Sequence, residues 1–351
     1  MKINLKKMKA AILTKSKKAL VVDEILMPNK LKFGQVLVKI IYTGICGSQI
    51  GEINAIKGPD KYLPHLLGHE AVGKVISVGE GVKKVIKNDK VILHWIKSEG
   101  LDADAPVYKW KNKKLNSGKI TTFSEYSICP ENRCTIIPKN LTYLDSVMFG
   151  CAIPTSFGIF DNIINLKIGN SVTVIGCGGV GINIIKAAKL NGAYPVIGID
   201  IKKNKLNFVK NNGADFVYEI SKKNSLKKIF DQIKMNFPLD YIIENTGNTK
   251  VINNSYKYME KKSTLVLVGV PNYKKNINIH SLDFHFGKKI VGVEGGNVNP
   301  EKDFNRYASY FKRKKFYPKK FVSKIFKLKD INKAIKLITS NKILGRIILK
   351  C

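Results

Sequence analysis

The apolar residues fall into two regimes along the chain. From Met8 to about Gly150 they come in short runs: KAAIL, ALVVDEI, QVLVKIIYTG, EAVGKVISVG, DKVILHW and FSEYSIC. Gly, Pro and Asn-Asp turns separate them. Short apolar runs between such breakers read as strands, so this part predicts a β-rich domain. Lys97 to Lys119 departs from that pattern. It is polar, holds Gly100, Pro106 and Gly118, and has no period. It reads as a long surface loop or lobe. A second regime starts near Ile168. SVTVIGCGGVGINIIKAAKLNGAYPVIGIDI is an apolar strand, a glycine turn, a helix and another apolar strand. ADFVYEI, DYIIENTG and STLVLVGVP follow, with helical stretches between them. Apolar strands alternating with helices predict βαβ units and an α/β, doubly wound parallel sheet. The tail KDINKAIKLITSNKILGRIILK predicts a helix opened by Asp330 and then a last strand.

Length and composition refine this picture without changing it. At 351 residues the chain exceeds the ~250–300 residues at which a single core stops growing, so two domains are expected. No apolar run reaches the ~18 residues of a membrane span. The start, MKINLKKMKAAILTKSKKALVV, lacks the long apolar region of a signal peptide, and its first seven residues read as a loose extension. The cysteines at 46, 129, 134, 151, 177 and 351 show no C-x-x-C pairing. They argue for a reducing cytoplasm and against a disulfide framework. The net charge of +35 raises the possibility of nucleic-acid binding, but only four of the 61 basic residues are Arg. Arg is the preferred fork for phosphates and guanine edges. Lys spread evenly along the chain reads instead as a solvated surface, and neither a nucleic-acid nor a membrane partner is expected.

The glycine turn carries the first chemistry. Gly176, Gly178 and Gly181 form G-x-G-x-x-G between a strand and a helix, with Gly179 and Val180 inside it. Asp200 follows nineteen residues past Gly181, at the end of the next strand. That context is the one a dinucleotide site requires. Gly176 makes the tight turn, Gly178 lets a pyrophosphate approach, and Gly181 lets helix pack on strand. Helix-end N–H groups face the phosphates. Asp200 would accept hydrogen bonds from both ribose hydroxyls and repel a 2′-phosphate, which favours NAD over NADP. Lys202, Lys203 and Lys205 leave room for some NADP use.

Cys46, in TGICGSQI, reads on its own as a buried thiol beside a turn. Downstream, HLLGHEAVGKVISVGEGV contains G-H-E-x-x-G, then Gly79 and Val82. Together with GICGS it resembles the zinc-containing alcohol dehydrogenases of the medium-chain dehydrogenase/reductase family. The resemblance spans nearly the whole chain. FGCAIPTSFGIFDNIINLKIGNSVTVIGCGGVGINII is most similar to the class III, glutathione-dependent formaldehyde dehydrogenase-like branch, and ENTGNTKVI, VLVGVP, INKAIKLI and Arg346 fit as well.

The resemblance implies a GroES-like catalytic domain at 1–152 and 294–351, with a Rossmann domain at 153–293 inserted in it. It assigns Cys46, His69 and Cys151 to one catalytic zinc, with an open fourth position. Glu70 would stand behind the metal, and Ser48 would take the alcohol proton. Thr155, Lys205, Thr246, Val270 and Arg346 match cofactor positions, and Trp95 matches a substrate-pocket position. The implied reaction is hydride transfer between NAD and an alcohol, polyol or sugar-like substrate, in a homodimer or homotetramer built through the Rossmann domains.

Several positions depart from the pattern. HWIKSEGLDADAPVYKWKNKKLNSGKITTF has no cysteine where relatives hold a structural zinc, so none is expected. His94, Asp102 and Asp104 read as ordinary polar residues rather than a second ion site. Gln49 replaces a usual Asp, Gly51 replaces a proton-passing His, and Gly47 removes a basic side chain. The lobe has lysines but no Arg to grip a glutathione carboxylate. Two rival readings remain at this stage: an inactive nucleotide-binding relative, and a basic nucleic-acid binder.

Overall fold

The computed structural model describes residue 3 and residues 5–351, arranged around three sheets. Six parallel strands form one of them, in the order Phe216–Glu219, Val196–Asp200, Val172–Ile175, Tyr241–Glu244, Thr264–Leu267, Lys289–Gly292. Val172–Ile175 comes first in the chain and lies in the interior of the sheet. The strand order therefore reverses at its carboxyl end, where a doubly wound sheet offers a ligand crevice. The central strands are buried along their length apart from half-buried Tyr241, as their apolar runs require.

The β-rich part holds the other two sheets. In the larger, Gln35–Gly44 pairs with Glu70–Val78, with Tyr126–Pro130 and with the chain's last strand, Arg346–Lys350. Ile348 lies opposite Gly44, so the end of the chain returns to the segment that leads into Cys46. The smaller sheet runs His65–Leu66, Lys7–Leu13, Val21–Leu26, Tyr108–Trp110, Lys113–Leu115.

Two expectations are corrected here. The segment 97–119 is not all loop: Tyr108–Trp110 and Lys113–Leu115 form a hairpin that extends the smaller sheet. Tyr108 and Leu115 are fully buried. Each strand has three residues and turns lysines outward, too short a stretch for alternation to register. The turn residues Lys111 and Asn112 both have positive φ, matching the twist of a tight hairpin. The opening residues are not a free extension either. Ile3 is buried in the core of the smaller sheet, and its N–H donates to the Asn29 carbonyl at 2.9 Å. Residues 1, 2 and 4 of that stretch lie outside the described residues.

A continuous core joins the two parts. Helix Ala152–Gly158 leads from one to the other and is buried throughout. Phe149, Phe157, Phe304, Phe311, Phe316 and Phe321 pack together with Val172, Val174 and Ile182 of the parallel-sheet part. No single helix among the described residues is long and apolar enough to cross a membrane.

His94 gives this core a pH dependence. It is fully buried, with Nδ1 2.8 Å from the Ile96 carbonyl and Nε2 3.0 Å from Thr135 Oγ1. Burial lowers its pKa from the ordinary 6.5 to about 3. The unfolded chain takes up a proton on this ring below about pH 6.5, and the folded chain does not. Stability is therefore full above that pH and falls by about 1.4 kcal/mol per pH unit toward pH 3. His94→Asn should remove that contribution: urea unfolding of the variant should show a shallower loss between pH 6.5 and 4. Parallel pH profiles would refute the assignment.

Candidate active site

Three separate stretches of chain build one cluster. Cys46 follows the strand Gln35–Gly44 and precedes the helix Gly47–Ile53. His69 lies in the turn before Glu70–Val78, and Cys151 precedes the helix Ala152–Gly158. Their ligand atoms lie within 4.8 Å of one another. No other trio of His, Cys, Asp or Glu converges this way among the described residues. Both cysteines are buried, and His69 Nε2 is buried without a partner. The Cys46 thiol is held well below its usual range. A hydrogen bond with Cys151 is the main cause, and His69 and Arg346 add to it against the penalty of burial. Two thiols and an imidazole with one unpartnered buried nitrogen suit a borderline-soft divalent ion with bonds of ~2.0–2.3 Å.

Glu70 lies immediately behind the cluster, 1% exposed at its side chain. A Cβ on Gly44 would come within 2.6 Å of its Cδ, and one on Gly150 within 2.6 Å of its Cβ. Only glycine at both positions lets the two cysteine-bearing segments close around it. The carboxylate forms an ion pair with Arg346, whose side chain is 3% exposed. The stem of Arg346 in turn fills the space beside Gly179, where a Cβ would be 3.4 Å from its Cγ. Arg346 thus stands between the phosphate turn and the cysteine–histidine cluster, with its Nε free of partners.

Gln49 sits on the other side of His69. Its Oε1 accepts from the Gly68 N–H at 2.5 Å, and its Nε2 lies 2.9 Å from His69 Nδ1 and 3.2 Å from Glu52 Oε2. Ser48, beside it on the same short helix, also lines the cleft between the two parts.

That cleft, about 670 Å³, joins the two parts of the molecule. Its lining includes Cys46, Ser48, His69, Trp95, Cys151 and Thr155 together with Gly178, Gly179, Val180, Thr246 and Val270, and also Lys205 and Arg346. Gly176, Gly181, Asp200 and Glu70 stand behind the walls. Gly176 has φ 95°, and a Cβ on Gly181 would run into the Gly176 carbonyl, so the turn demands glycine at both. Asp200 accepts from the N–H groups of Cys177 at 2.8 Å and Lys202 at 3.0 Å. The carboxylate is thereby oriented, and each oxygen keeps a lone pair. Lys205 Nζ lies 3.2 Å from Asn341 Oδ1. Trp95 packs against Gly295, and Arg133 donates to its carbonyl. His94 and Asp102 do not meet: His94 is in the core and Asp102 pairs with Lys119 at 2.5 Å.

Sequence reasoning missed four polar wall residues, Glu52, Lys57, Asn245 and Asn341, along with apolar and glycine positions of the lining. Asn245 Nδ2 donates to the Gly176 carbonyl at 3.1 Å, bracing the phosphate turn from the neighbouring strand. Its place before Thr246, at the carboxyl end of a parallel strand, was the available signal. Glu52 lies one helical turn after Ser48, which was another. Lys57 and Asn341 lie in loops and carry no local pattern.

Comparison with known proteins agrees with this architecture. Residues 32–139 match the family "Alcohol dehydrogenase GroES-like domain", and residues 179–313 match "Zinc-binding dehydrogenase". An alcohol dehydrogenase of Geobacillus stearothermophilus is 30% identical over 348 residues, covering 98% of this chain and 99% of that protein. The benzyl alcohol dehydrogenase structure from Acinetobacter calcoaceticus superposes with a TM-score of 0.86 at 22% identity, covering 99% of each chain. The 2R,3R-butanediol dehydrogenase of Bacillus subtilis superposes at 0.76 and 23% identity, covering 98% of this chain and 99% of that one. Both superpositions concern the fold.

The buried ion pair makes a direct prediction. Arg346→Ala strands the Glu70 carboxylate without a counter-charge and should cost about 3–5 kcal/mol of stability in urea unfolding. Adding Glu70→Gln should recover part of that loss. A change under ~1 kcal/mol for Arg346→Ala would show that the pair does not hold the two segments together.

Proposed function

The chain belongs to the zinc-binding alcohol dehydrogenase family, and from that premise we propose that it transfers a hydride between NAD and an alcohol, polyol or sugar-like substrate. One observation carries the reading: Cys46, His69 and Cys151 converge in the same cleft that the phosphate turn lines. These three residues would hold zinc, and the turn would hold the dinucleotide. When bound, zinc supplies Lewis-acid activation of the substrate oxygen and NAD supplies the hydride acceptor.

The chain's own residues do the rest. Ser48 receives the hydroxyl proton of the substrate and passes it to water or a cofactor hydroxyl, since Gly51 offers no side chain to continue the relay. Glu70 places negative charge behind the cluster, with Arg346 balancing it. Backbone N–H groups at Gly178, Gly179 and Val180 face the pyrophosphate. Asp200 accepts from the adenosine ribose, with Lys205 beside it. Thr155, Thr246 and Val270 position the nicotinamide half. Trp95 shapes the substrate end, as a wall or as a stacking surface for a ring.

Finer assignments belong to the same proposal. Within the family we place the chain nearest the class III branch, on the sequence from Phe149 to Ile185. One zinc per chain, with no structural zinc, is supported by the lack of cysteine between Trp95 and Phe123. The division into 1–152 with 294–351 and 153–293 is supported by the return of Arg346–Lys350 to the larger β-sheet. A homodimer or homotetramer through the Rossmann parts is supported by the edge strand Lys289–Gly292 and by exposed Leu282, Phe284 and Phe286 near it. A cytoplasmic setting is supported by six cysteines that are all unbridged.

The test is elemental analysis of protein purified without chelator. The expected content is about one zinc per chain, lost together with NAD-linked alcohol turnover in Cys46→Ser. Unchanged zinc in that variant would overturn the ligand assignment. Zinc-free protein that still binds NADH would favour an inactive nucleotide-binding relative. Asp200→Ala should reduce the preference for NAD over NADP by roughly tenfold or more, the value of one lost charge-assisted hydrogen bond. An unchanged preference would remove Asp200 from cofactor selection.

A further inference from the structure

The contacts of Gln49 fix the direction of its amide. A backbone N–H only donates, and an ionised carboxylate only accepts. Gly68 N–H therefore requires Oε1 at its 2.5 Å contact, and Glu52 requires Nε2 at its 3.2 Å contact. A half-turn of the amide would set N–H against N–H at Gly68 and oxygen against oxygen at Glu52. With the amide so held, its second N–H points at His69 Nδ1, 2.9 Å away. That nitrogen must accept. A neutral imidazole has one proton, so the proton sits on Nε2, the buried nitrogen left without a partner. A metal ligand must instead offer a lone pair there. The usual arrangement behind a ligating histidine is a carboxylate or carbonyl that accepts from the other ring N–H. Gln49 presents a donor at that place.

We propose that Gln49, braced by Gly68 and Glu52, holds His69 in the tautomer that rejects a metal, and so makes zinc occupancy of this site labile. The proposal rests on the reading of Cys46, His69 and Cys151 as the zinc site. Loading requires the ring's single proton to move from Nε2 to Nδ1, with no proton gained or lost. It also requires the amide to turn, which gives up the Gly68 and Glu52 contacts. Gln49 is thus a positioning residue: it acts on the ligand set through His69. Glu52 has a defined part in it, because a carboxylate at 52 opposes the turned amide and a carboxamide does not.

The experiment measures zinc affinity of the whole protein by competition with a chromophoric chelator, and the half-time of zinc loss to excess EDTA. Gln49→Asp offers an acceptor to Nδ1–H and should hold zinc roughly 10–100-fold more tightly than the native chain, the range expected for groups behind a metal ligand. Glu52→Gln leaves His69 and Gln49 in place and should slow zinc loss by a smaller factor, guarding against misfolding of the first variant. Cobalt substitution should give the thiolate charge-transfer band in all three proteins, with slower bleaching by EDTA in the variants. Equal affinities and equal loss rates would overturn this inference and leave the zinc site standing. Absence of zinc or cobalt binding in all three would overturn the zinc site, and the inference with it.

Discussion

The ion pair between Glu70 and Arg346 is the constraint on which the site depends. It joins the strand that follows His69 to the last strand of the chain, in a place with almost no access to solvent. Two charges in such a setting are tolerated only when paired, because each alone would lose its hydration without return. The pair therefore fixes where the segments around it can lie. Gly44 and Gly150 let the Cys46 and Cys151 segments approach Glu70 from two sides, and Gly179 admits the stem of Arg346. The cysteine–histidine cluster, the phosphate turn and the end of the chain share one buried electrostatic centre.

Around that centre the functions divide between rigid and adjustable parts. The phosphate turn is over-determined: Gly176 and Gly181 meet too closely for side chains, Asn245 braces the carbonyl, and Asp200 gathers two N–H groups. A cofactor would meet a preformed surface there. The histidine side of the cluster is different. Its orientation rests on one side-chain amide with three polar neighbours, and an amide can turn without moving the backbone. The same site thus combines a stiff nucleotide wall with a ligand whose proton placement depends on a single rotor.

Much of this was legible in the chain because it is encoded locally. A buried parallel strand is a short apolar run, and a phosphate turn is a strand, three spaced glycines and a helix. The resemblance that begins at GICGS and GHE extended the reading to the cluster itself. The legible part ended where a signal was shorter than a period. Tyr108 and Leu115 are buried in a hairpin of three-residue strands, and outward lysines made it look like loop. Ile3 likewise reads as part of an extension, since the stretch MKINLKK is too short and too rich in lysine for its apolar residues to set a pattern.

By itself the sequence determined the two structural regimes, the dinucleotide turn with Asp200 beyond it, and the identity of the residues able to bind a soft metal. Only the tertiary structure decided that Cys46, His69 and Cys151 meet, that Arg346 faces Glu70, and which atom of Gln49 faces His69. Periodicity and turn chemistry are properties of neighbouring residues and can be read along the chain. Convergence of distant segments is set by which buried surfaces fit and which buried charges find partners, and neither is written at any one position.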